Sequence, residues 1–371
     1  MTPLPASTDV FVIGGGPAGL AAAIAARRKG YQVTVADSAV PPVDKACGEG
    51  IMPDGLAAAR SLGLELDAAP GHVFRGIRFR DRGAAVQAEF PHGVGRGVRR
   101  TGLHLMMVEA AADAGVRMLW GTGVTGIAPE GVWTGGEMVR ARWIVGADGG
   151  NSRVRKWAGL DAAHRESRRY GFRRHYRVQD PGDYMELHWG DNCQMYLTPV
   201  GEHELCAVLI SRDPRKRLST ELAGFPEAAA RLAAAESLNH ERGGITATRR
   251  LRAVARGNVA LVGDASGSVD AITGEGLCLL FQHATALAAA IETGSLEPYR
   301  EAHRHIGRRP EFMSDMMLLL DGRHRLRRRA IRAMAGEPRL FARMLALHVG
   351  DSSFTNFLAG GLALGWRMVS L

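Results

Sequence analysis

The chain has 371 residues and a formal net charge of +9, with 47 glycines and only four cysteines. That length accommodates one large or two interleaved domains around a sizeable core. Cys47, Cys193, Cys206 and Cys278 lack Cys-x-x-Cys spacing, which argues against a disulfide framework and a metal site, and the basic residues are not interleaved with aromatics as in an RNA-binding motif, so no nucleic-acid partner is expected.

The first apolar segment begins at Asp9, which leaves no room for a secretory leader and predicts a reducing, cytoplasmic setting. The run from Asp9 to Leu20 is an apolar strand entering Gly14-x-Gly16-x-x-Gly19 and then an alanine-rich helix. This is the pattern of a mononucleotide-binding βα turn. Gly14 allows the tight turn, Gly16 lets a pyrophosphate approach the backbone, Gly19 lets helix and strand pack closely, and the helix N-terminus faces the anion. A second strand, Tyr31 to Ala36, ends at Asp37, whose carboxylate is placed to accept from an adenosine ribose. The turn alone does not separate FAD from NAD, and a glycine turn without ligand is the plain alternative.

Further along, strand-like stretches fill Val73 to Phe90 around an Asp81-Arg-Gly83 turn, and Arg100-Thr-Gly-Leu103-His104 opens an apolar helix. The apolar strand beginning at Arg142 delivers Asp148 at its C-terminal end. The basic run Arg165 to Arg177 reads as a strand with Tyr170, Phe172, Tyr176 and Val178 on one side and Arg169, Arg173 and Arg177 on the other. It is either one face of a half-exposed sheet or a basic entrance for a reduced nicotinamide cofactor or an acidic substrate. Asp183 to Trp189, Cys193 to Pro199 and Glu204 to Ile210 are short strands separated by turns. A last apolar strand from Val259 delivers Asp264, and Gly274-Glu275-Gly276-Leu277 begins a helix whose N-terminal N–H groups favour negative charge. Helices dominate from there. A cluster of arginines from Arg323 to Arg332 precedes an apolar ending, Phe354 to Leu371, that either caps the fold or touches a membrane surface. His188, His283 and the Met316 to Leu320 cluster read as core or surface rather than as chemistry.

Arg142 to Arg155 resembles the Asp-Gly fingerprint of flavin-dependent hydroxylases, and Val259 to Leu277 the Gly-Asp fingerprint in which the aspartate holds the flavin ribityl chain. The Arg100 motif resembles the one that reaches the FAD pyrophosphate in the same enzymes. With the Gly14 turn these motifs keep the family's order over residues 9 to 277, and the chain is identified as a member of the para-hydroxybenzoate hydroxylase and geranylgeranyl reductase superfamily. The resemblance implies an α/β fold: a Rossmann-type FAD-binding domain (1–72, 98–160 and 251–295) interleaved with a β-sheet substrate domain (73–97 and 161–250), then a helical C-terminal region (296–371). It implies FAD as cofactor, held by Gly14, Gly16, Ala18, Gly19, Asp37, Cys47, Arg100, Val124, Asp148, Asp264, Gly274, Gly276 and Leu277, with NAD(P)H as reductant.

Lys45-Ala-Cys47-Gly48-Glu49-Gly50 resembles the Cys-Gly pair of the reductase branch, where the cysteine lies close to the flavin ring. The aromatic Tyr-x-Trp-x-Phe-Pro signature of isoprenoid reductases, however, is present only as Gln194-Met-Tyr196-Leu-Thr198-Pro199. Cys47 and Tyr196 are the catalytic candidates; for Cys47 a small buried thiol is the plain reading, and for Glu49 a residue satisfying the donors of a helix start. The expected activity is monooxygenation of an aromatic, polyketide-like or lipid-like small molecule. Reduction of a carbon-carbon double bond with Cys47 as proton donor is the alternative, and a flavin-binding protein without turnover a third. The expected state is monomer or homodimer.

Overall fold

The computed structural model describes residues 3–68 and 70–352; the apolar ending Phe354 to Leu371 lies outside them. Strand Ser7–Ile13 lies at the centre of a sheet because both of its faces are apolar. Val10 and Val12 pack toward the helices Pro17–Arg28, Arg100–Asp113 and Gly276–Glu292, while Phe11 and Ile13 pack toward a second layer containing Val124–Ala128 and Gly131–Thr134. It pairs in parallel with Val33–Asp37 and Glu137–Gly146, which in turn pair in parallel with Arg117–Trp120 and Val259–Leu261. Near-continuous apolar strands are what a parallel sheet covered on both faces requires. All five parallel strands deliver their carboxyl ends to one edge, where ligands of open α/β sheets bind.

The second sheet runs in the order Glu236–Ser237, Ala163–Arg177, Glu204–Ser211, Cys193–Gly201, Tyr184–Trp189, Gly76–Asp81 and Ala84–Glu89, with Arg242–Leu251 also paired to the long strand. Alternation along Cys193–Gly201 sends Met195 and Leu197 to one apolar layer and Tyr196 to the other. That second layer is closed by helices Glu297–Gly322, His324–Gly336 and Pro338–His348. Among the described residues no helix is long and apolar enough to cross a membrane.

The arginine strand differs from both sequence-based expectations. Its predicted alternation holds, yet Arg169 and Arg173 are 2 % and 4 % exposed, and only Arg177 faces solvent, paired with Glu236. Arg169 pairs with Asp270 at 2.8 Å; Arg173 pairs with Asp44 and Glu49, each at 2.9 Å. The side expected to be solvated or to face incoming anions is packed on acidic loops of the first sheet, because partnered guanidinium groups tolerate burial that free ones do not. Its Tyr170 side packs on a separate apolar layer, with Phe172 and Tyr176 buried against Leu218 and Phe225.

Candidate functional site

The glycine turn sits where the sequence requires it. Gly14 has φ +109°, and a Cβ there would lie 2.4 Å from the Ala147 carbonyl oxygen; a Cβ on Gly19 would lie 1.9 Å from that of Gly14. Strand, turn and helix therefore meet at backbone contact. The Gly15 N–H donates to Asp37 Oδ2 at 2.7 Å, and the Gly15 carbonyl accepts from His104 Nε2 at 2.8 Å. The Val43 N–H donates to His104 Nδ1, which leaves the ring proton on Nε2, and burial lowers the histidine pKa in keeping with a neutral ring. Asp37 also accepts from the Ala39 N–H at 2.8 Å. Ala18 lies on the turn helix against Gly263, 2.5 Å from where a Cβ on that glycine would stand.

Arg100 begins helix Arg100–Asp113, and its backbone N–H donates to Glu49 Oε1 at 2.9 Å. Glu49 thus satisfies a helix start, though of a helix distant in sequence. Its buried carboxylate also accepts from Arg173 at 2.9 Å and from His175 Nε2 at 2.6 Å, and Asn239 in turn holds His175 Nδ1. Glu49, His175 and Cys206 form a grouping close enough to hold a metal ion, but the Glu49 carboxylate is already committed to Arg173 and to the Arg100 N–H. Cys47 is partly buried next to this hub, its Sγ accepting from the Glu49 N–H. Burial pushes its thiol up, against the pull of Arg100, so it remains protonated.

These residues fit FAD. Arg100 Nε is buried without a hydrogen-bond partner, and its Nη2 lies 4.0 Å from where a Cβ on Gly16 would stand. A guanidinium thus stands over a glycine backbone at a helix N-terminus, a combination suited to a pyrophosphate. Asp264, at the end of Val259–Leu261, is half-exposed and accepts from Lys45 Nζ at 2.7 Å. Asp148 stands at the carboxyl end of Glu137–Gly146, as the sequence expects, and there accepts from Ser152 Oγ and from the Arg153 and Val154 N–H groups at the start of helix Arg153–Trp157. Arg155 then ties that loop to the Asp264 loop through the carbonyls of Gly150 and Ala265.

Gly274 is left-handed at φ +70°, and Gly276 opens the helix Gly276–Glu292, with Leu277 in the core. Val124 is buried in the layer below the sheet, among Ile13 and Leu119. Tyr196 lies in the apolar layer under the last helices, together with Cys206 of the Glu49 hub. Its hydroxyl donates to the Ile272 carbonyl, and burial pushes it well above the usual phenol range. It lines an apolar cavity with Met185, Leu187, Met313, Met317 and Phe341, whose polar rim is Thr273 and His348. The sequence reading named His104 only as the end of a motif and Arg173 only as part of a basic face, and it did not name His348. The first falls inside a motif; for the other two no local pattern signals their partners.

A parallel sheet with a glycine turn and an arginine at its carboxyl edge, joined to a second sheet that roofs an apolar cavity, is the architecture of a dinucleotide-binding flavoprotein. The family profile described as FAD binding domain matches residues 7–295, and the chain belongs to that family. Menaquinone reductase from Mycobacterium tuberculosis is 34% identical over 177 residues, 43% of this chain and 42% of that protein. 6-Methylpretetramide 4-monooxygenase from Streptomyces rimosus is 36% identical over 174 residues, 42% of this chain and 41% of that protein. The chain thus matches only about two fifths of each of these relatives. A flavoprotein/dehydrogenase structure from Cytophaga hutchinsonii has a TM-score of 0.77 at 17% identity, with 93% of each chain covered, a likeness of fold alone.

Proposed function

We propose that the protein is an FAD-dependent monooxygenase, reduced by NADH or NADPH, that hydroxylates or epoxidises an aromatic, polyketide-like or lipid-like small molecule. The observation that carries this reading is the cavity: its walls are apolar, it adjoins the Ile272–Thr273 segment just ahead of the Gly274 to Gly276 loop, and Cys47 is not among its lining residues. A substrate held there is surrounded by apolar side chains, as a site that limits water around a reactive intermediate requires.

Bound FAD supplies hydride acceptance from nicotinamide and, once reduced, activation of dioxygen. The protein's own residues bind and orient it. Gly16 and Arg100 would take the pyrophosphate, Asp37 the adenosine ribose, and Asp264, now paired with Lys45, the ribityl hydroxyls. The Gly276 helix start stabilises negative charge at the flavin's pyrimidine edge. The second sheet and the last helices position the substrate. The reading takes the domain boundaries inferred from the sequence, a small-molecule substrate without a nucleic-acid partner, a monomer or homodimer, a cytoplasmic setting, and peripheral membrane contact through the C-terminal region as its companions.

Double-bond reduction is the second reading, favoured by the match to menaquinone reductase and by the protonated Cys47 beside the Arg100 helix. The test is to photoreduce the FAD-loaded protein and mix it with air-saturated buffer. Re-oxidation in two resolved spectral phases, with oxygen-derived product or hydrogen peroxide, supports monooxygenation. A slow single-phase return, unaffected by candidate substrates, refutes it.

A further inference from the structure

Glu275 is 2 % exposed, and neither of its carboxylate oxygens has a hydrogen-bond partner. His348, at the end of Pro338–His348, is 7 % exposed, lines the apolar cavity, and has an unpartnered Nδ1. The two atoms face each other, Nδ1 to Oε2, at 3.8 Å. A shift of less than about 1 Å turns that approach into a hydrogen bond. The other charged and titratable groups around Glu275 are Arg309, 3.8 Å from Oε1 and hydrogen-bonded to Asp54 at 2.9 Å, then Asp54 itself and Cys278. One guanidinium is shared between two carboxyl groups, so one of them keeps its proton.

We propose that His348 receives the carbonyl-type oxygen of an otherwise apolar ligand in this cavity, and that Glu275 behind it is the positioning residue that sets where the imidazole carries its proton. This deepens the reading of the cavity as the substrate site and rests on it. Burial pushes Glu275 up to about 8, with Arg309 pulling it down and Asp54 pushing it further up. Burial pushes His348 down to about 4, with Arg309 reinforcing and the Thr273 carbonyl opposing. At neutral pH the carboxyl therefore holds its proton and the ring is neutral. The Glu275 O–H donates to Nδ1, which leaves the single ring proton on Nε2, where a ligand oxygen competes for it with the Thr273 carbonyl. Once Glu275 has lost its proton to solvent, the ring proton moves from Nε2 to Nδ1 and is donated in a hydrogen bond to the carboxylate, so that Nε2 becomes an acceptor that repels a carbonyl. In the present state the cavity encloses about 30 Å³. A ring-sized ligand is admitted by movement of Met185, Met313, Met317 and Met344, side chains that repack readily.

The experiment titrates FAD-loaded protein with acetophenone and with ethylbenzene, which share a ring and differ in the carbonyl oxygen, by flavin difference absorbance and calorimetry. His348→Leu is expected to weaken acetophenone roughly five- to tenfold, the worth of one hydrogen bond, and to leave ethylbenzene within about twofold. In the wild type, acetophenone should weaken as pH rises, with its midpoint near 8, while ethylbenzene stays level; in Glu275→Gln the acetophenone profile should be flat. Acetophenone affinity indifferent to His348→Leu, no break near pH 8 in the wild type, or the same break in Glu275→Gln would each overturn the proposal. Should His348→Leu fail to load FAD, the pH profiles of wild type and Glu275→Gln decide alone. If neither ligand binds the loaded protein, the cavity is not the substrate site, and the proposal falls together with that assignment. If ethylbenzene binds and re-oxidation remains biphasic while the acetophenone arms fail, only the His348 and Glu275 roles are lost.

Discussion

Replacing Glu49 by glutamine changes one atom in a side chain that is fully buried and accepts three donors: the Arg100 N–H at 2.9 Å, Arg173 at 2.9 Å and His175 at 2.6 Å. Glutamine keeps a single carbonyl oxygen, and its NH2 group must then face a donor. Arg173 retains Asp44 through two contacts of 2.9 Å, so its charge is not stranded. The loss is that of breaking one member of a buried charged network, about 3 to 5 kcal/mol. At roughly 2.1 cal/mol/K of unfolding entropy per residue, a chain of this length loses roughly 4 to 6 °C in Tm for that amount. Because Glu49 also anchors the first N–H of the Arg100 helix, FAD affinity should fall by about tenfold in parallel, the equivalent of about 1.4 kcal/mol. The assay is thermal release of flavin fluorescence, together with FAD titration of the stripped protein. A Tm within about 1 °C of wild type and an unchanged FAD titration would mean that the hub neither holds the fold nor orients Arg100.

Arg100→Lys should weaken FAD by about tenfold in the same titration, since an ammonium cannot reproduce the planar fork; equal affinity would hand the role to Arg99 or to the helix start alone. Asp264→Ala should cost about ten- to a hundredfold in FAD affinity and leave the Tm of the stripped protein unchanged, because its pair with Lys45 is half-exposed and contributes little. Cys47→Ser should reduce product by less than about tenfold, with any deficit recovered as hydrogen peroxide; a product loss of 10² or more without peroxide would promote the reductase reading. Glu275, pushed up to about 8 in the folded protein, holds a proton there that the unfolded chain releases around its ordinary 4.5. Wild type should therefore lose stability relative to Glu275→Gln as pH rises from about 4.5 to about 8, by several kcal/mol, and change little above that; parallel denaturation curves across this window would refute the protonation argument.

The strands that carry the nucleotide turn are legible because every residue from Val10 to Ile13 is apolar, which only a sheet covered on both faces can use. The period of the arginine strand is legible too, but not which side is buried. That choice depends on Asp44, Glu49 and Asp270, carboxylates contributed by loops about a hundred residues away in either direction, and local periodicity carries no information about them. Tyr196 stands out as the surviving aromatic of a degraded signature, yet its hydroxyl is occupied by the Ile272 carbonyl, a contact made across two elements. Glu275 reads in the sequence as an acid at a helix start, and no pattern in the sequence marks His348. Only the packing of helix Pro338–His348 over the cavity turns them into a facing pair.

Arg169 and Arg173 are anchored four residues apart on one rigid strand, and each grips a different loop on the cofactor side. Prising the two sheets apart along that seam would break the pairs of both guanidinium groups at once. The molecule is therefore bolted shut on one flank and upholstered on the other, where Met313, Met317 and Met344 meet the cavity from helices that close over the sheet. If the cavity is the substrate site, as proposed, stiffening those helices should slow association, whereas trimming the arginine seam should loosen the cofactor first.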